Sequence, residues 1–282
     1  MEAASLRRAP ALPRRIRLGL GGGLLLLAAL AWLVTHDRMG GMDMGPGTDP
    51  GTLAFWASAW LVMTSAMMFP SIAPMVLAYA RVRAGGRPEE RAAAVGATAI
   101  FVAGYLLAWS AAGLAAYGVL ALGHERSPGF LAWDAAGPYV AGAVILAAAI
   151  YQLTPLKDAC LRQCRDPRPL LRTAVRPGRG GALRTGIEHG CWCVGCCWAL
   201  MAALIALGAM SVGWMIVVAA LIALEKLLPW KAVANRSVAV VLVVLGLAVA
   251  HAPASVPGLT VPTGAADAHM QDGAMTAPAM DH

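Results

Sequence analysis

The alternation of apolar and polar stretches divides the chain into seven apolar runs with short polar connections between them. The runs are Leu18–Val34, Leu53–Tyr79, Ala94–Leu122, Pro138–Leu156, His189–Ala209, Trp214–Leu228 and Ser237–Ala250. A helix of about 20 residues crosses a hydrocarbon core, so each run is read as a helical span. The first follows Arg7, Arg8, Arg14, Arg15 and Arg17, as a signal peptide would. Thr35-His36-Asp37 offers no small-x-small cleavage site, so an uncleaved span is expected. Pro70 and Pro74 in the second run are expected to kink or locally unwind it. Broken helices near a bilayer midplane often mark a binding site.

Composition agrees with a membrane protein: 59% of the residues are hydrophobic and 13% charged, against about 25% charged in an ordinary soluble domain. The expected fold is all-α, a polytopic transmembrane bundle of about seven spans. The net charge of +7 is distributed by loop. With the N-terminus in the cytoplasm, 20 of the 22 Lys and Arg fall on inside segments, and only Arg38 and Arg126 fall outside. The positive-inside rule then predicts N-terminus in and C-terminus out. Basic residues so placed set topology, and lipid rather than nucleic acid is the expected surrounding. Residues 1–17 read as a basic cytoplasmic tail and 18–251 as the membrane domain, with 157–188 as a cytoplasmic loop. Residues 252–282 read as a disordered extracytoplasmic tail containing Met and His.

The densest chemistry is His189-Gly-Cys191-Trp-Cys193-Val-Gly-Cys196-Cys197, followed by Met201. On a helix, His189, Cys193, Cys197 and Met201 repeat every four residues and share a face, with Cys196 beside it. Cys160 and Cys164 lie just past the end of the fourth run, so all six cysteines are expected at the cytoplasmic face, where thiols stay reduced. The start of a helix and the nearby Arg184 and Lys157 are expected to favour thiolate. Imidazole, thiolate and thioether are soft or borderline donors that select Cu(I) and also hold Zn(II). The plain alternative is that small cysteines let membrane helices pack closely.

Methionines occupy the rest of the path. Met63, Met67, Met68 and Met75 lie in the second run, Met39, Met42 and Met44 in an outside loop, and Met270, Met275 and Met280 in the tail. Thiolate inside, thioether in the membrane and thioether with imidazole outside is a layout for handing Cu(I) outward. A methionine in a span is also an ordinary core filler. Glu225 is expected to snorkel beside Lys226, and Lys157 and Asp158 to serve topology.

Four segments carry a family resemblance. They are Met63-Thr-Ser-Ala-Met67-Met68-Phe-Pro70-Ser-Ile-Ala-Pro74-Met75, Leu156-Lys157-x-x-Cys160-x-x-x-Cys164-Arg165-x-Pro167, Gly190-x-x-Cys193-x-Gly195-Cys196-Cys197-Trp198-x-Leu200-Met201 and Glu225-Lys226-x-x-Pro229. Together they resemble a bacterial family of predicted metal-binding integral membrane proteins, long catalogued as a domain of unknown function, over about residues 53–250. The resemblance implies a multi-pass protein of the bacterial inner (cytoplasmic) membrane that delivers copper to extracytoplasmic copper enzymes or chaperones. It implies metal binding by Cys160, Cys164, Cys193, Cys196, Cys197, Met201 and the methionines of the second span. Cys191 is additional to that pattern.

Two other functions remain open on the sequence. Cys193-Val-Gly-Cys196 is a CxxC, as in a membrane thiol–disulfide oxidoreductase. Alternatively, four thiolates would make a structural Zn(II) site. There is no nucleotide-binding loop and no aspartyl-phosphate motif, and a non-enzymatic role is expected.

Overall fold

The computed structural model describes residues 12–39, 50–84, 87–126, 136–166, 176, 178–208, 211–228, 230–253 and 256. These form eight helices, with no strand among the described residues: α1 (Arg14–Met39), α2 (Leu53–Arg83), α3 (Pro88–Arg126), α4 (Gly137–Gln152), α5 (Pro155–Arg165), α6 (Gly178–Gly208), α7 (Val212–Leu227) and α8 (Lys231–His251). The basic segment 1–11, most of the 39–44 methionine loop and the tail methionines lie outside the described residues.

Five helices, α1, α2, α3, α6 and α8, are long and apolar enough to cross a membrane, and six segments qualify if the bent pair α4–α5 counts as one. The expected seventh run is a helix too, but α7 has only 16 residues, about 24 Å at 1.5 Å per residue. The all-helical class and the multi-pass character therefore hold, and the count of seven does not follow from helix length.

Three details differ from expectation. First, α2 continues through Pro70 and Pro74 without a break. The prolines remove only the N–H groups that would bond Ala66 O and Pro70 O, and both rings lie on the exposed side of the helix. Second, the break falls at Leu153–Thr154 instead, where α4 and α5 meet at 68°. Pro155 disfavours helical backbone at the residue before it. Thr154 is extended, and its side chain accepts from Lys157 N, so it ends one helix and caps the next. Third, the stretch 157–188, expected to be loop, holds most of α5 and the first turns of α6.

Glycines set the closest packing. A Cβ added at Gly186 would fall on Phe101 O, one at Gly104 on Leu183 O, and one at Gly190 would lie 2.6 Å from Ala108 Cβ. α3 and α6 thus meet backbone to backbone along a small-residue seam. Beyond that seam, α3 is tied to α2 by tryptophans: Trp56 Nε1 donates to Gly113 O and Trp60 Nε1 to Trp109 O, each at 2.9 Å. Toward the other end of α2, Tyr79 stacks on Phe101 of α3, with centroids 4.7 Å apart. Gly186→Ala is expected to push α3 from α6 and cost about 1–3 kcal/mol, the usual range for overpacking. Thermal unfolding of the detergent-solubilised protein measures this, and a melting curve identical to wild type would refute the seam's importance.

Candidate metal centre

α6 carries the site. Its helical repeat places His189, Cys193, Cys197 and Met201 on one buried stripe, with Cys196 buried beside it. Cys191 points the other way and is exposed. These cysteines do not begin the helix. α6 starts at Gly178, four turns before Cys193, because Arg184 and Glu188 form an i,i+4 pair and Arg176 joins Glu188 at 2.7 Å. The helix-start contribution expected for the thiols is therefore absent, and Arg184 is engaged elsewhere. The site is also deeper than expected. Cys193 Sγ lies 3.1 Å from the hydroxyl of Tyr105, which stands eleven residues inside the apolar run Ala94–Leu122. That is about 16 Å of helix rise.

The bend after α4 brings a third sulfur in. α5 is amphipathic, with Lys157, Cys160, Leu161 and Cys164 buried. Cys164, Cys193 and Cys196 bring their sulfurs within 4.8 Å of one another, a group able to hold a metal ion. Cys197 Sγ lies 3.3 Å from Cys196 Sγ, and Cys196 Sγ donates to Cys193 O at 3.2 Å. No disulfide joins the six cysteines. Cys160 is outside the three-sulfur group; its sulfur rests on Gly195, where an added Cβ would come within 2.8 Å.

Charged residues hold this arrangement, and sequence reasoning misassigned them. Glu225 does not snorkel beside Lys226. Its carboxylate binds Lys157 Nζ at 2.6 Å, and each side chain is 1% exposed. Lys157 Nζ also donates to Cys196 O at 2.5 Å. Arg165 donates to Glu225 O and Leu228 O, the free carbonyls at the end of α7. One basic residue near each end of α5 therefore fastens it to α6 and α7. Asp158 accepts from Asn235 Nδ2 of α8 at 3.1 Å. Lys226 Nζ contacts Cys193 Sγ at 3.1 Å, Ser71 Oγ at 3.2 Å and Met68 Sδ at 4.0 Å. An ammonium at that distance is the counterion a thiolate calls for. The available signal was the pair Glu225-Lys226 ending an apolar run, since ionisable residues inside a bilayer are functional by default.

The other expected residues surround this centre. His189 is buried between Phe101 and Tyr105, with ring centroids 5.9 and 6.1 Å away, and its Nε2 has no partner. It is not in the three-sulfur group. Met63, Met67, Met68 and Met75 are all buried on α2. Met201, with Trp60 and Trp109, lines an apolar cavity of about 520 Å³ between α2, α3, α4 and α6. Tyr105 had no sequence signal, and Ser71 and Arg165 stood in the motif segments without an assigned role, because the pairing of helices that brings them in is not encoded locally.

Compared with known families, residues 57–249 match a family model described as PpoB2, copper chaperone. No curated protein and no solved structure matches the chain.

Proposed function

The chain belongs to this family of copper chaperones, and from that membership we propose that it binds Cu(I) on Cys164, Cys193 and Cys196 and passes it outward. The observation that carries this reading is the convergence of three sulfurs from two helices within 4.8 Å. Two or three sulfur ligands suit Cu(I), a soft ion, and exchange of one ligand at a time lets it move. Zn(II) prefers a closed tetrahedron and stays where it binds.

The order of donors along the bundle gives the path. With the basic residues inside, α2 runs inward and α6 outward. Met68 stands at the level of Cys193, since both touch Lys226. Met63 is then about 7.5 Å further out and Met75 about 10 Å further in, at 1.5 Å per residue. Met201 is outward of Cys193 by about 12 Å on the same rise. Copper would enter past His189 and Met75, rest on the cysteines, and leave along Met68, Met67, Met63 and Met201. The receiver is an extracytoplasmic copper enzyme or chaperone. Cys160, Cys197 and the exposed Cys191 act at most as auxiliary donors. The protein resides in the bacterial inner membrane, with N-terminus in, C-terminus out and α7 completing seven passes. A thiol–disulfide exchange role fits less well, because exchange needs an accessible attacking thiol and Cys193 and Cys196 are buried.

The test is metal loading of the purified protein under reducing, anaerobic conditions, with copper supply to an outer copper enzyme measured in cells. Cys196→Ser with Cys197→Ser is expected to abolish tight Cu(I) binding. Met67→Leu with Met68→Leu keeps volume and is expected to leave binding intact while reducing supply. If the methionine pair changes nothing and the cysteine pair releases zinc, the centre is structural and the copper reading is wrong.

A further inference from the structure

Lys226 is the residue whose place the copper reading does not explain. It closes α7, is 8% exposed, and its ammonium bridges Cys193 of α6 to Ser71 and Met68 of α2. The nearby Lys157 is neutralised by Glu225 and points at the backbone of Cys196. Among the described residues, Lys226 is the cation seen in contact with a sulfur of the three-cysteine group. A monovalent metal held by two or three thiolates forms a unit of net negative charge, and a buried charge needs a partner. An N–H···S contact to a ligating sulfur supplies it, as outer partners do at metal sites generally.

The same ammonium touches Met68. A metal ion bound to both Cys193 and Met68 would lie about 2.3 Å from each sulfur, a typical metal–thiolate length. It would compete with the ammonium for one neighbourhood, and two cations repel. We propose that Lys226 is a positioning residue with two effects: it retains the metal on the cysteines, and it bars the metal from Met68 until it withdraws. This rests on the copper reading of the cysteine site. Ser71 gives the ammonium a neutral partner on the α2 side. Motion of one flexible side chain is then enough to open the step from thiolate to thioether.

The experiment uses the full chain in detergent, loaded anaerobically with one equivalent of Cu(I) and titrated with a chromogenic Cu(I) chelator. Lys226→Leu removes the charge and adds no sulfur, and is expected to weaken Cu(I) binding about 10- to 100-fold, the usual cost of losing an outer partner. Lys226→Arg keeps the charge and the N–H donors and is expected to bind like wild type. A second reading comes from selenomethionine-labelled protein by X-ray absorption at the copper edge. No copper–selenium scattering is expected in wild type. It is expected to appear in Lys226→Leu and to vanish again when Met68→Leu is added. Copper–selenium scattering in wild type that disappears in Met68→Leu overturns the barrier, and needs no lysine variant to fold. Unchanged affinity in Lys226→Leu overturns the retention. If wild type itself binds no Cu(I), the copper reading has failed and this inference falls with it; if wild type binds and the lysine variants do not differ, only the inference falls.

Discussion

Glu225→Ala is expected to destabilise the protein by about 3–5 kcal/mol, the usual cost of breaking a buried ion pair from one side. The carboxylate neutralises Lys157 Nζ at 2.6 Å, and both groups are almost wholly removed from solvent. Without it the ammonium keeps one carbonyl, Cys196 O, and one neutral acceptor does not repay burying a charge. The loss is expected to show as a lower unfolding temperature in detergent. It should also show as weaker metal retention, because Lys157 fixes the α5 that carries Cys164. Lys157→Met combined with Glu225→Leu removes both charges. It is expected to recover most of the stability or exceed wild type, since replacing a whole buried pair by apolar groups is often neutral or favourable. A Glu225→Ala protein that melts like wild type would show that the pair carries no such weight.

The second large effect separates two cysteines that the sequence treats alike. Cys164→Ser is expected to weaken metal binding by more than the roughly 100-fold that losing an outer partner costs, because it removes one of three converging sulfurs. Cys160→Ser is expected to leave binding near wild type. Its sulfur packs on Gly195 and takes no part in the group. Competition titration with a Cu(I) chelator on both single variants decides the matter. Equal losses in the two variants would place Cys160 among the ligands and redraw the site.

The helices were legible because a membrane imposes its own pattern: uninterrupted apolar runs with arginines between them. The buried stripe His189, Cys193, Cys197 and Met201 was legible for the same local reason, since helical periodicity alone places it. The break after α4 had a signal in Thr154-Pro155, a cap followed by a proline, which was overshadowed by Pro70 and Pro74. Those two prolines have the stronger textual signal and the weaker structural consequence: α2 runs through both as one helix, with their rings on its exposed side. What the sequence did not yield was partnership across helices. Glu225 and Lys226 are adjacent in the chain, yet α7 turns them toward different partners, Lys157 on α5 and Cys193 on α6. The start of α6 was misplaced by about three turns because its first turns are held by arginine–glutamate pairing rather than by apolar residues.

The 68° bend between α4 and α5 also bears on speed. Two of the three sulfurs ride on the long α6, and the third rides on an eleven-residue helix joined to its predecessor by Leu153 and Thr154. All three are shielded from solvent, so a partner in solution reaches a bound ion when α5 moves, whereas the step to Met68 inside the bundle needs only the lysine. Exchange with such a partner is then timed by a helix excursion, a motion of the microsecond-to-millisecond class, and not by the strength of the sulfur bonds. Tight holding and quick release become compatible, because the first depends on three ligands being closed and the second on how often one of them swings away.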